Sequence, residues 1–124
     1  MRKSVVAEKG APPQGPYSHA IVAQGTFVYV SGQGPIDPAT NTMPEGFREA
    51  AVQTLQNVQA ILEASGAGMA DVVKVQAYLR DMDDFPTFNE VYKEFFVEPF
   101  PARTTVQSDL RIPIEVDVVA VLPE

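Results

Sequence analysis

The order of strand-like and helix-like segments predicts an α+β domain, a mixed six-stranded sheet with two helices packed on one face. Three observations carry this. Segments with two-residue alternation and segments with 3–4 apolar spacing follow one another as β-β-β-α-β-α-β-β. The eleven prolines cluster in the connections, among them Pro12, Pro13 and Pro16, then Pro35, Pro38 and Pro44, then Pro99 and Pro101. Finally, a sheet covered on one side only leaves a second face too rich in Val and Ile for water, which predicts oligomerisation.

The elements follow in order. Residues 20–24 and 27–33 read as a hairpin with Gly25-Thr26 at the turn, Gly25 supplying the positive φ of a type II′ turn. Ser31-Gly32 ends the second strand, and a loop runs from Gly34 to about Pro44, with Asp37-Pro38 and Asn41 as turn formers. Residues 46–65 carry Phe47, Ala51, Leu55, Val58 and Leu62 on one helical face, and Gly66 ends that helix in a left-handed conformation. Residues 72–79 are β-branched and alternating, a strand. A second helix is expected over 85–96, capped by Asp83 or Asp84, with Pro86 in its first turn. Its apolar face is Phe85, Phe88, Val91 or Tyr92, and Phe95. The last strand, 114–122, sets Ile114, Val116, Val118, Ala120 and Leu122 on one side and Glu115 and Asp117 at the start of the other.

The composition narrows the function. A chain of 124 residues is one domain, residues 1–124, with 45% hydrophobic and 20% charged residues. Nine Lys and Arg against sixteen Asp and Glu leave a net charge of −7, which argues against nucleic acid or an anionic membrane as partner. There is no cysteine, so thiolate nucleophiles and Cys metal sites are excluded, and a single His cannot make a His-pair site. Residues 1–9 lack the apolar run of a signal peptide, and no segment approaches the ~20 apolar residues of a membrane span, so the expected location is the cytoplasm. His19 beside Ser18 is not a triad, and the expectation for it is structural.

The segment Phe100-Pro101-Ala102-Arg103-Thr104-Thr105-Val106 places one guanidinium at the start of a strand. Pro101 fixes φ and removes a donor, so the strand starts there, and Arg103, Thr105 and Gln107 share a side. A lone Arg among hydroxyl and amide groups suits a small carboxylate, which its planar fork binds through two parallel hydrogen bonds. A surface ion pair with a neighbouring acid is the alternative. If the last two strands pair, Arg103 and Glu115 or Asp117 face a common cleft, the acid positioning or deprotonating a water.

Five segments, in order and suitably spaced, carry a family resemblance: Gly15-Pro16-Tyr17-Ser18-His19-Ala20, Val30-Ser31-Gly32-Gln33, Asn89-Glu90-Val91-Tyr92-Lys93-Glu94-Phe95-Phe96, Pro101-Ala102-Arg103-Thr104, and Ile114-Glu115-Val116-Asp117-Val118-Val119-Ala120. Over nearly the whole chain they resemble the Rid family, the YjgF-type reactive intermediate deaminases. The resemblance implies a chorismate-mutase-like fold and a homotrimer whose sheets form a central barrel, with clefts at the subunit interfaces. The implied activity is hydrolysis of 2-imino and enamine acids, of the 2-aminoacrylate/2-iminopropanoate and 2-iminobutanoate type, to 2-oxo acids and ammonia, with no cofactor and no metal.

By the same resemblance the substrate-carboxylate arginine falls on Arg103, the cleft tyrosine on Tyr17 and the cleft serine on Ser31, with Gly32 beside it. The helix asparagine falls on Asn89, and Phe88 with nearby apolar groups closes the cleft. The position usually held by cysteine is Thr105, and the water-positioning glutamate falls on Asp117, with Glu115 one strand period away on the same side. His19 stands where glutamine is common. Arg103, Asp117 and Tyr17 are thus the expected catalytic set, with Ser31, Gly32, Thr105, Phe88, Asn89 and Glu115 at the substrate. Rival expectations are a binding-only relative that holds 2-oxo acids without turnover, and a deaminase of another enamine such as an aminomuconate. A ribonuclease or translation inhibitor, the third, is opposed by the charge of −7.

Overall fold

The computed structural model describes all residues, Met1–Glu124. Strands β1 (Arg2–Val5), β2 (Ala20–Ala23) and β3 (Phe27–Gln33) precede helix α1 (Phe47–Ala64); β4 (Val72–Leu79), helix α2 (Phe85–Phe95), β5 (Ala102–Gln107) and β6 (Ile114–Val121) follow. The strand and helix order is the expected one. The sheet is not a single six-stranded one: β3-β6-β4-β5 form a four-stranded mixed sheet, and β1-β2 form a separate two-stranded ribbon. Only β4 and β5 run parallel.

The expected hairpin is corrected here. Gly25 does take positive φ (139°), but β2 pairs with β1 and β3 pairs with β6. The turn chemistry fixes the chain reversal and leaves the pairing to longer-range contacts. The last two strands do not pair either: β4 lies between β5 and β6.

Helix α1 buries Ala50, Ala51, Leu55, Val58 and Leu62 against β6 and β3, the stripe that 3.6-residue periodicity dictates. It ends at a left-handed Gly66 (φ 88°), with Ala67 N–H donating to Leu62 O and Gly66 N–H to Glu63 O, a Schellman closure. Asn57 on α1 donates to Gly34 O and Ile36 O, tying the loop after β3 to the helix. Helix α2 begins at Asp84, whose side chain makes no cap bond; Asp81 instead accepts from Asp83 N–H in the turn before it. Both helices lie on the sheet face formed by Val75, Ala77, Leu79, Ile114, Val116, Val118 and Ala120, all fully buried or nearly so.

The β-branched residues of β6 thus go to the helices. The uncovered face is more mixed than expected: Lys74, Gln76, Tyr78, Thr104, Glu115 and Asp117 stand among Phe27 (41% exposed), Tyr29 (77%), Val106 (41%) and Val119. No helix is long and apolar enough to cross a membrane.

Candidate active site

Arg103 lies on edge strand β5 opposite Val75 of β4, so its side chain is on the helix face of the sheet. Strand alternation puts Thr105 on the same face, opposite Ala77. The side that sequence alone marks as polar is therefore the covered side. It is covered by aromatic rings: Arg103 Cζ is 4.7 Å from the Tyr92 ring centroid, 5.5 Å from Phe88, 5.6 Å from Phe85 and 6.0 Å from Tyr17, all within cation–π range. Phe85, Phe88 and Tyr92 come from one face of α2, while Tyr17 comes from the loop before β2.

That loop is pinned to the beginning of β5. Ser18 N–H donates to Pro101 O (3.1 Å) and Ser18 Oγ to Phe100 O (2.5 Å). The Tyr17 hydroxyl accepts from Gln14 N–H (3.0 Å). A Cβ on Gly15 would stand 3.4 Å from Arg103 Nη2 and 3.8 Å from Asn89 Nδ2, so this glycine keeps a close approach open beside the guanidinium. His19 holds the preceding turn, with Nδ1 accepting from Ala7 N–H and Nε2 donating to Ala11 O, the structural role expected of it.

No acid pairs with Arg103. The ion pairs are Arg48 with Glu94 and the N-terminus with Glu124. Burial pulls the Arg103 guanidinium below its ordinary range, against the opposing pull of Tyr92 and Tyr17. Its Nη1 is buried with no hydrogen-bond partner, and so are Asn89 Oδ1, Tyr92 Oη and Thr105 Oγ1. Burial likewise pushes the Tyr92 phenol far above its usual range, so it is neutral. A partly desolvated cation ringed by unpartnered polar atoms can bind a small anion. No three His, Asp or Glu side chains come together as metal ligands would.

The remaining predicted residues lie elsewhere. Asp117 and Glu115 of β6 stand opposite Gln76 and Tyr78 on the uncovered face. They are two strands from β5 and on the other side of the sheet from Arg103. Ser31 and Gly32 sit where the β3–β6 register shifts between Val30 and Gln33, at the opposite sheet edge, about 14 Å from β5 by three ~4.8 Å strand spacings. Glu115 is folded over Gly32: a Cβ there would stand 2.6 Å from Glu115 Oε2 and 2.9 Å from its Cδ. The Tyr78 hydroxyl donates to Gln76 Oε1 (2.8 Å), and desolvation first, then Asp117 and Glu115, raise the pKa of its phenol.

The chain therefore assembles two clusters. The first is Tyr17, Phe88, Asn89, Arg103 and Thr105, the second Ser31, Gly32, Glu115 and Asp117. Gly15, Phe85 and Tyr92 belong with the first and were not among the expected site residues. Tyr92 carries the same helical period as a core aromatic, so nothing in the sequence separates the two roles. Gly15 had a signal in its place two residues before Tyr17.

Residues 8–122 match the family described as Endoribonuclease L-PSP. The chain belongs to the Rid (RutC, YjgF-type) family. It is 44% identical over 125 residues to a RutC family protein of Pyrococcus horikoshii, covering 97% of this chain and 98% of that one. It is 39% identical over 128 residues to the 2-iminobutanoate/2-iminopropanoate deaminase of Salmonella typhimurium, covering 98% of each. Among solved structures it resembles RidA from an Antarctic Psychrobacter, with TM-score 0.77 and 37% identity over 97% of this chain and 99% of that one. E. coli TdcF, solved with bound serine, gives TM-score 0.75 and 35% identity over 98% of this chain and 99% of that one. The Rid fold is thus the expected α+β arrangement of two helices on a mixed sheet.

Proposed function

We propose that the protein hydrolyses 2-imino and enamine acids to 2-oxo acids and ammonia. One observation carries this: Arg103 is a half-buried cation with no acid partner, its Nη1 buried without a hydrogen bond, in a cluster with other polar atoms that also lack partners. Arg103 holds the substrate carboxylate by its fork, with Thr105 Oγ1 beside it and Tyr17 and Phe88 as walls. The deaminase names of relatives up to 49% identical support the reaction class.

The reaction needs a water near the imine carbon. Of the two acids, Glu115 is preferred to the expected Asp117, because Glu115 overlies the backbone at Gly32, whereas Asp117 stands opposite Gln76 toward the middle of the sheet. Glu115 takes a proton from water as the water oxygen bonds to the imine carbon, and the proton passes to the nitrogen, which receives the C=N electron pair and becomes a singly bonded amine. Glu115 then takes the proton of the carbinolamine hydroxyl as C=O forms and returns it to the nitrogen as the C–N bond breaks, releasing ammonia. Arg103 and the Glu115 cluster lie on opposite faces of one sheet, so the site is completed by a second copy. The apolar groups on the uncovered face, Phe27, Tyr29 and Val106, suit that association, and the homotrimer with interfacial clefts is the arrangement proposed.

The test couples the protein to a dehydratase that generates 2-iminobutanoate. Wild type accelerates imine loss and Arg103→Ala does not; equal rates for wild type, variant and buffer would sink the reading. The separation of the acids from Arg103 within a protomer favours one second reading, a 2-oxo acid binder without turnover. Tight 2-oxobutanoate binding with no acceleration marks that case. For ribonuclease chemistry, the −7 charge and the ring-enclosed Arg103 offer no basic track for a phosphate backbone.

A further inference from the structure

The chain enters β5 through Pro99, Phe100 and Pro101, which belong to no helix or strand. Two of the three have no N–H to donate. Strand β5 lies at the edge of its sheet and is laddered to β4 alone, from the Lys74–Ala102 pair onward, so no ladder holds this approach. Its carbonyls are taken by the N-terminal part of the chain instead. Pro101 O accepts from Ser18 N–H and Phe100 O from Ser18 Oγ, while Pro99 O accepts from Arg2 Nη2 (2.8 Å).

Arg2 does more than complete this row. It stands on β1, and its Nε donates to the carbonyl of Val72, the first residue of β4 (2.9 Å). One rigid guanidinium therefore joins the start of β4 to the segment leading into β5, the two strands whose register sets Arg103 opposite Val75. Arg2 is also tied to the cluster through Tyr92. That phenol feels the charge of Arg103 first and of Arg2 second, and its ring centroid is 4.7 Å from Arg103 Cζ. Arg2 is half-buried and, like Arg103, belongs to neither ion pair. Desolvation pulls its guanidinium below the ordinary range, against Asp71 and Tyr92.

We propose that Arg2 is a positioning residue for the carboxylate clamp: by bridging Val72 O and Pro99 O it fixes where β5 begins, and so where Arg103 stands beneath its rings. The inference rests on the carboxylate-binding part of the proposed function and not on turnover. Arg2 acts through the backbone of β5 rather than on the ligand. The role calls for arginine in particular, because a planar fork holds two carbonyls in one geometry. A lysine ammonium is a point donor on a flexible stem and keeps the charge without that constraint.

The experiment measures 2-oxobutanoate affinity by calorimetry, and the melting temperature, for the full chain as wild type, Arg2→Met, Arg2→Lys, Asn57→Ala and Arg103→Ala. Arg2→Met keeps an unbranched stem and deletes both hydrogen bonds, and is expected to weaken binding about fivefold. Arg2→Lys is expected to recover only part of that loss, and provides the reading if Arg2→Met does not fold. Asn57 also ties two carbonyls, Gly34 O and Ile36 O, but in the loop after β3 at the opposite sheet edge. Asn57→Ala is expected to lower the melting temperature and keep the affinity. The inference is overturned if Arg2→Met melts lower with affinity unchanged, as a purely structural arginine predicts. It is overturned equally if Arg2→Lys binds as wild type does, since charge alone then suffices, or if Asn57→Ala weakens binding as much as Arg2→Met. If Arg103→Ala binds as wild type does, the clamp falls and the role of Arg2 with it. Lost binding in Arg103→Ala beside unchanged Arg2 variants removes the role of Arg2 alone.

Discussion

The helix face and the uncovered face of the same sheet solve opposite problems. Around Arg103, four rings partly desolvate a cation that no acid neutralises, which suits the proposed binding of an anion there. Around Gly32, a carboxylate lies over bare backbone on a face that water reaches, and here space rather than charge is the constraint. Two-residue alternation along β5 and β6 sends Arg103 one way and Glu115 the other. The two clusters, proposed as a binding half and a hydrolytic half, are thereby built on one chain without meeting in it.

The largest effects come from removing the centre of either half. Arg103→Ala should lower 2-oxobutanoate affinity by about 10²–10⁴-fold, the loss of two charge-assisted hydrogen bonds, and should leave the melting temperature unchanged or higher because a desolvated cation is gone. Glu115→Gln should lower kcat by about 10²-fold or more with 2-oxobutanoate affinity kept, whereas Asp117→Asn should change kcat less than about threefold. The reverse ranking of the two acids would return the water-positioning role to Asp117. The comparison itself breaks or holds on mixing: Arg103→Ala and Glu115→Gln chains co-assembled one to one should regain about a quarter of the wild-type rate, since sites shared between copies pair one intact half with another by chance. No recovery in demonstrably mixed oligomers would place both halves in one copy.

Gly32→Ala should act on the hydrolytic half alone. The added Cβ meets Glu115 at 2.6 Å, and that side chain is flexible enough to move away without unfolding the strand. A displaced acid should cost about 10- to 100-fold in kcat and leave carboxylate binding intact. If affinity falls with kcat, Gly32 contacts the ligand directly and the division between the faces is less clean.

The sequence made some of this plain and hid the rest for physical reasons. Strand β4 spans Val72–Leu79, as its β-branched alternation predicts, and both helices end within one or two residues of their periodic stripes. Those are local signals. Pairing is not local: Gly25 makes its turn but joins no ladder between β2 and β3, and β4 inserts between β5 and β6. The expected cleft between the last two strands failed on that insertion. Alternation showed that Arg103 and Thr105 share a side, but which side the helices cover depends on where Val75 and Ala77 pack. Tyr92 was invisible as a site residue because its ring obeys the core period while its hydroxyl lacks a partner.

Thr105 gives the smallest and most diagnostic effect, because its expected effects on stability and on the proposed binding have opposite signs. Its Oγ1 is buried without a partner, a state that costs about 1–3 kcal/mol when no ligand is present. Thr105→Val keeps the β-branched shape that suits strand β5 and deletes the hydroxyl. The unliganded protein should therefore melt a few degrees higher, while 2-oxobutanoate affinity falls about five- to tenfold, as expected for one hydrogen bond to a charged group. Thr105→Ser, which keeps the hydroxyl, should retain the affinity and lose some stability. A purely structural threonine predicts no change in affinity for either variant. Calorimetry and thermal melts on the same two samples decide between them, and they test whether the helix face trades fold stability for an anion-ready site.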